Sequence, residues 1–143
     1  MNEPAFIDSN ILVYTDDRSS GPKQKQAVSL VARHLRDGSA VFSMQVLQEY
    51  FSAATRKLGV PAEVAQHKVE IFARARVVRL DEADLIRAIE LHRLRKIAFW
   101  DALIVHAAQR AGCAILYSED ALGGGQVSGL RVVNPFRTTS REP

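Results

Sequence analysis

The sequence predicts an α/β sandwich: a short parallel sheet of about five strands with helices on both faces. Strand-length apolar runs alternate along the chain with stretches of helical periodicity, from Ala5 to Val133. Parallel neighbours cannot be joined by tight turns, so such intervening helices are the crossovers a parallel sheet needs. The length of 143 residues and a hydrophobic share of 47% suit a single domain with one core.

Taken in order, Ala5-Phe6-Ile7 is an apolar run ending at Asp8, and Ala40 to Ser43 is a second; both read as buried strands. Gln45 to Leu58 has helical spacing through Val46, Leu47, Tyr50, Phe51, Ala54 and Leu58, and Gly59 and Pro61 end it. A helix from about Ala62 to Ala75 leads into Arg76 to Leu80, a third strand. Asp81 to Lys96 then repeats the amphipathic theme through Leu85, Ile86 and Ile89. Phe99 to Arg110 is apolar on almost every side except at Asp101, His106 and Gln109, which predicts a helix sunk between other elements and stopped at Gly112. Ala114 to Tyr117 and Arg131 to Val133 complete five strands. Residues 1–136 are expected to form the domain and residues 137–143 a disordered, fraying tail.

Composition excludes several classes. No uncharged apolar run approaches the ~20 residues of a membrane helix, and Met1 to Thr15 has no secretory leader, so a cytoplasmic protein without a membrane span is expected. The single Cys113 supplies neither a disulfide nor a thiolate cage, and a buried inert thiol is its default. The net charge of +3 is mild. Between Arg74 and Lys96 seven basic residues face only Asp81, Glu82, Asp84 and Glu90, which makes a basic face plausible there.

Ligands of parallel sheets bind beyond the carboxyl ends of the strands. Asp8 follows the first strand, while Ser118, Glu119 and Asp120 follow the fourth. Asp101 opens the buried helix, and Glu49 borders the apolar stripe of its own. Singly, each acid has a local explanation: Asp8 and Asp101 as helix caps, Asp120 as a turn residue, Glu49 as a solvated glutamate. Together they would repel one another in a partly desolvated cleft and would need protons or cations to persist there. Mg²⁺ or Mn²⁺ meets that need, because both prefer oxygen ligands and bind through a few carboxylates plus substrate phosphate oxygens.

Four blocks then carry a family likeness: Phe6 to Tyr14, Gln48-Glu49-Tyr50-Phe51, Phe99 to Val105 and Leu116 to Asp120. In this order, and with the closing Val132-Val133-Asn134-Pro135-Phe136, they resemble the motifs of PIN-domain ribonucleases, most nearly VapC-type toxins. The resemblance implies a PIN-like three-layer sandwich, with Asp8, Glu49, Asp101 and Asp120 as catalytic, metal-holding acids. Asn10 and Ser118 match positions that support the site by hydrogen bonding, with an ordinary cap or turn as their alternative. Ala121 to Gln126 is about one residue longer than the family pattern, which leaves Glu119 and Asp120 both open as the fourth acid. The implied activity is Mg²⁺-dependent endonucleolytic hydrolysis of RNA by in-line attack of a metal-activated water, leaving 5′-phosphate and 3′-hydroxyl ends. The implied partners are the RNA substrate, a small antitoxin protein and a second copy of the chain in a homodimer.

Arg18, Lys23, Lys25, Arg93, Arg95 and Lys96 are candidates for backbone phosphates, though each singly reads as a solvated charge. Trp100 reads as helix packing rather than a base-stacking platform, and Tyr14 fits either role. Gly123 to Gly125 lacks the Lys and Ser/Thr of a P-loop and reads as a flexible turn. His34, His67, His92 and His106 show no ligand spacing near the acids. Two rival readings remain. One is an aspartate-based phosphatase or receiver-like domain, weakened by Asn10 where such a phosphatase needs a second acid. The other is a noncatalytic RNA- or protein-binding module whose acids serve only as caps.

Overall fold

The computed structural model describes residues 3–119 and 125–137. Three-residue β1 (Ala5–Ile7) is followed by α1 (Ser9–Tyr14), a short 3₁₀ helix at Arg18–Ser20 and α2 (Pro22–Asp37). β2 (Ala40–Ser43), α3 (Met44–Arg56), α4 (Ala62–Phe72) and β3 (Arg76–Val78) come next. The chain continues through α5 (Glu82–Arg95), α6 (Phe99–Arg110), β4 (Ile115–Tyr117), β5 (Gly125–Val127) and β6 (Leu130–Val133). All five anticipated strands form.

The sheet order is β3-β2-β1-β4-β6-β5, with every pairing parallel except β5 against β6. The chain moves outward from β1 through β2 to β3 and then crosses back to β4. Right-handed crossovers in opposite directions place their helices on opposite faces. α2 and α3 accordingly pack on one side of β2, and α6 crosses behind β2, β4 and β6. β1 and β4 are neighbours at the point where the order reverses, in register at Ile7 and Tyr117. Phe6, Ile7, Val41, Phe42 and Leu116 lie in the middle of the sheet, fully buried between these layers with Ile11, Val46 and Val105.

Four expectations are corrected. The sheet has six strands, not five: Gly125, read as part of a flexible turn, opens β5, and Ser128 and Gly129, at φ 49° and 85°, form the two-residue turn into β6. Gly123 and Gly124 lie outside the described residues. α2, unassigned from the sequence, starts at Pro22 and stops at Gly38 in the left-handed region at φ 76°. In α5 the expected core residues Leu85 and Ile86 are exposed, while Asp84 and Ala88 are buried. The cause is polar. Asp84 forms a capping box with Asp81 and receives His106 Nε2 and Arg110 Nη1 from α6, each at 2.8 Å. The side of α5 that faces α6 is thus set by an ionic cluster rather than by its leucines. Fourth, Trp100 is 63% exposed instead of packed. It is the second residue of α6, before the helix sinks at Ala102 and Ile104.

Candidate active site

Asp8 sits where β1 ends. Its backbone N–H bonds the Tyr117 carbonyl at 2.9 Å, which continues the β1–β4 pairing by one more step. Its extended backbone, at φ −77° and ψ 161°, makes it the N-cap of α1, and Oδ1 accepts the Ser9 amide at 2.7 Å. Oδ2 accepts the Ser118 hydroxyl, from the end of β4, at 2.8 Å. The capping role and the site role therefore coexist in one carboxyl. Asp8 is only 8% exposed. Burial pushes its pKa up to about 6 against the pull of the Ser118 and Ser9 hydrogen bonds, and the negative charges of Glu49 and Asp101 push the same way.

Glu49, half-buried on α3, accepts the Ser9 hydroxyl at 2.9 Å on one oxygen and Gln45 Nε2 at 3.1 Å on the other. Asp101, half-buried in the first turn of α6, lies at a helix end where negative charge is favoured. Asp8, Glu49 and Asp101 come from three elements on both faces of the sheet and line one cleft of about 220 Å³, with Asn10 and Ser118 on its wall. Trp100 forms part of its lip. Asn10 bridges the strand exits: its amide nitrogen reaches Ser118 Oγ at 3.4 Å and its carbonyl accepts the Glu119 amide at 3.3 Å. This neutral residue, engaged on both ends, occupies the position where an aspartate phosphatase needs an acid.

The two candidates for the fourth acid separate. Glu119 lies outside this cleft. Its carboxylate accepts Lys23 Nζ at 2.5 Å and the Tyr14 hydroxyl at 2.6 Å. Burial would raise its pKa, but the Lys23 and Tyr14 hydrogen bonds outweigh that and hold it below the usual range. Lys23, a candidate for RNA phosphate, is thereby committed to Glu119. Asp120 lies outside the described residues.

Sequence reasoning missed Ser9 and Gln45, which hold Glu49. Both were within reach of local rules: Gln45 stands four residues before Glu49 on the same helix face, and Ser9 follows the capping aspartate. Cys113 is buried, which pushes its thiol up to about 11, and it takes no part.

The donor set facing the cleft is all oxygen, and it includes a carboxyl that burial and two like charges make reluctant to ionise. A hard cation relieves that repulsion. Among the described residues, no three His, Cys, Asp or Glu side chains already close on one point. The arrangement fits an ion that keeps part of its water shell, as Mg²⁺ does, rather than a fully protein-caged metal.

The chain matches the PIN domain family over residues 5–122, and it belongs to that family. Among solved structures, Mycobacterium tuberculosis VapC20, titled a sarcin-ricin loop cleaving toxin, is similar at a TM-score of 0.66 and 22% identity, over 81% of this chain and 89% of that one. A toxin–antitoxin complex from Klebsiella pneumoniae is similar at 0.66 and 19% identity, over 92% and 98%. DNA-bound VapBC from Salmonella typhimurium is similar at 0.65 and 17% identity, over 94% and 99%. At these identities the likeness is one of fold, and it is the fold of VapC toxins. No curated protein matches the chain in sequence.

Proposed function

We propose that this PIN domain is a divalent-cation-dependent endoribonuclease and the toxin of a toxin–antitoxin pair. The observation that carries the proposal is the meeting of Asp8, Glu49 and Asp101 in one cleft at the point where the strand order reverses. Asp8, Glu49 and Asp101 would hold Mg²⁺ or Mn²⁺, with Asp120 as the fourth acid. When bound, the ion supplies Lewis-acid stabilisation of the phosphate and lowers the pKa of the attacking water. The chain does the positioning. Ser118 and the Ser9 amide fix both oxygens of Asp8, while Gln45 and the Ser9 hydroxyl aim Glu49. Asn10 locks the two strand exits together. The cleft needs no side-chain nucleophile, because water attacks in line and the products carry 5′-phosphate and 3′-hydroxyl ends.

A small antitoxin and a homodimer are the expected partners. The similar structures from Klebsiella pneumoniae and Salmonella typhimurium are toxin–antitoxin assemblies, which supports the first. No helix among the described residues is long and apolar enough to cross a membrane, and action in the cytoplasm, where RNA targets lie, completes the proposal. The test is cleavage of total RNA with added Mg²⁺ and mapping of the new ends. Wild type is expected to generate discrete 5′-phosphorylated ends, and Asp101→Ala none. Equal cleavage by both proteins would refute the site.

A further inference from the structure

A second cavity, of about 700 Å³, opens beside the acidic cleft and shares Ser9, Asn10 and Glu49 with it. α3 forms one wall. Glu49, Ser52, Ala53 and Arg56 recur there at intervals of three, one and three residues, and Lys57 follows at the helix end. The wall thus runs from an acid at the cleft to two cations about 10 Å further along the helix axis. Arg56 and Lys57 are exposed, and among the described residues neither side chain enters a hydrogen bond or ion pair. The acids opposite are already engaged, Glu119 by Lys23 and Tyr14, and Asp17 by the amide and hydroxyl of Ser19. Val13 and Leu58 add apolar surface.

We infer that this cavity seats a nucleotide flanking the scissile bond, with its phosphate on Arg56 and Lys57 and its base against Val13 and Leu58. The assignment rests on the ribonuclease function proposed above. Two unpartnered cations over apolar surface match the chemistry of a nucleotide, and the volume falls within the ~300–1,000 Å³ of small-molecule sites. The distance from Glu49 assigns the cations to a neighbouring phosphate rather than to the one at the acids. Phosphate contacts set the register of the strand, and the apolar surface is where any base preference arises.

The test is binding of a fluorescent single-stranded RNA in EDTA, where cleavage is silent, across a series of salt concentrations. R56A/K57A is expected to bind about 10-fold or more weakly, with the slope of log affinity against log salt reduced by about 1.4, or about 0.7 for each lost phosphate contact. R56K/K57R is expected to keep both affinity and slope, and circular dichroism melts confirm folding; R56Q/K57Q serves if the alanine pair does not fold. Unchanged affinity and slope in the charge-removed variant, with wild type cleaving RNA in Mg²⁺, overturn the cavity assignment alone. A charge-removed variant that keeps RNA affinity but loses a bound partner protein marks a protein-docking face and also overturns it. Wild type that neither binds nor cleaves RNA overturns the nuclease function, and the cavity with it.

Discussion

Ser118 donates its hydroxyl to Oδ2 of Asp8 at 2.8 Å across a sequence separation of 110 residues, and both side chains are buried. A hydrogen bond to the charged form of a carboxyl lowers its pKa, so Ser118 keeps a desolvated acid closer to ionisation than burial alone allows. Asp8 must be ionised to hold a cation. Cleavage by wild type should therefore fall as the pH drops through the region of about 6, displaced downward by whatever the bound ion contributes. In S118A the acid limb should move to higher pH, with a stability loss of about 1 kcal/mol from the missing bond. A pH–rate profile with an unmoved acid limb would show that Ser118 acts only as packing.

The same carboxyl makes the metal-free protein less stable than it need be. The Asp8 pKa rises from 3.8 to about 6 on folding. Between those values the folded chain binds the extra proton, so stability falls as the pH rises through that window and stays reduced above it. The penalty at neutral pH is of order 1–3 kcal/mol. D8N keeps the shape and a good N-cap without the charge. It should be more stable than wild type by about that amount at pH 7 in EDTA, and the two should converge near pH 4. Urea titrations at both pH values test this. Mg²⁺ should raise the melting temperature of wild type and leave that of D8N unchanged. A D8N protein less stable than wild type at pH 7 would mean that the charge is already compensated.

β1, β2 and β4 were legible because each is a short apolar run, and the acids at their ends follow from where parallel sheets bind ligands. Periodicity records which side chains are able to pack, not which neighbour covers them. α5 carries Leu85 and Ile86 in helical register, yet its only deep contact is through Asp84 and Ala88 against α6, so the apolar residues face outward. Trp100 adjoins an apolar helix but belongs to a turn that rises above the sheet. β5 is three residues long, too short for an alternating pattern, and its signal lies in the Ser128-Gly129 turn instead. α2 was punctuated by Pro22 and Gly38 and passed over, because polar residues occupy most of it. In the site, spacing pointed to the acids, whereas pairings such as Ser9 with Glu49, 40 residues apart, arise only when α1 and α3 pack together.

Glu119 and Asp120 make opposite demands on a mutational test. With both oxygens of Glu119 taken by Lys23 and Tyr14, the side chain braces the rim between the two cavities and stands outside the acidic cleft. E119Q should lower RNA cleavage by no more than about 10-fold, whereas D8N and D101N should remove it to background. Parallel kinetics on the three variants decide the matter. A loss in E119Q as complete as in D8N would make Glu119 a member of the catalytic set.

Trp100 is the only tryptophan in the chain. It is 63% exposed at the lip of the acidic cleft, with its ring edge-on to Phe99 at 5.0 Å. An exposed indole beside a cleft for a single-stranded substrate is a stacking platform, and base–aromatic stacking is worth about 1–3 kcal/mol per base. Removing it costs the fold little, since surface substitutions usually change stability by less than about 0.5 kcal/mol. W100A should therefore melt with wild type while its KM for RNA rises about 10-fold, and W100F should recover most of the loss. Because no other tryptophan contributes, quenching of the intrinsic fluorescence on titration with RNA reports the stacking directly. An emission spectrum indifferent to saturating RNA would place the bases elsewhere, and Trp100 would then be surface exposed for a different partner.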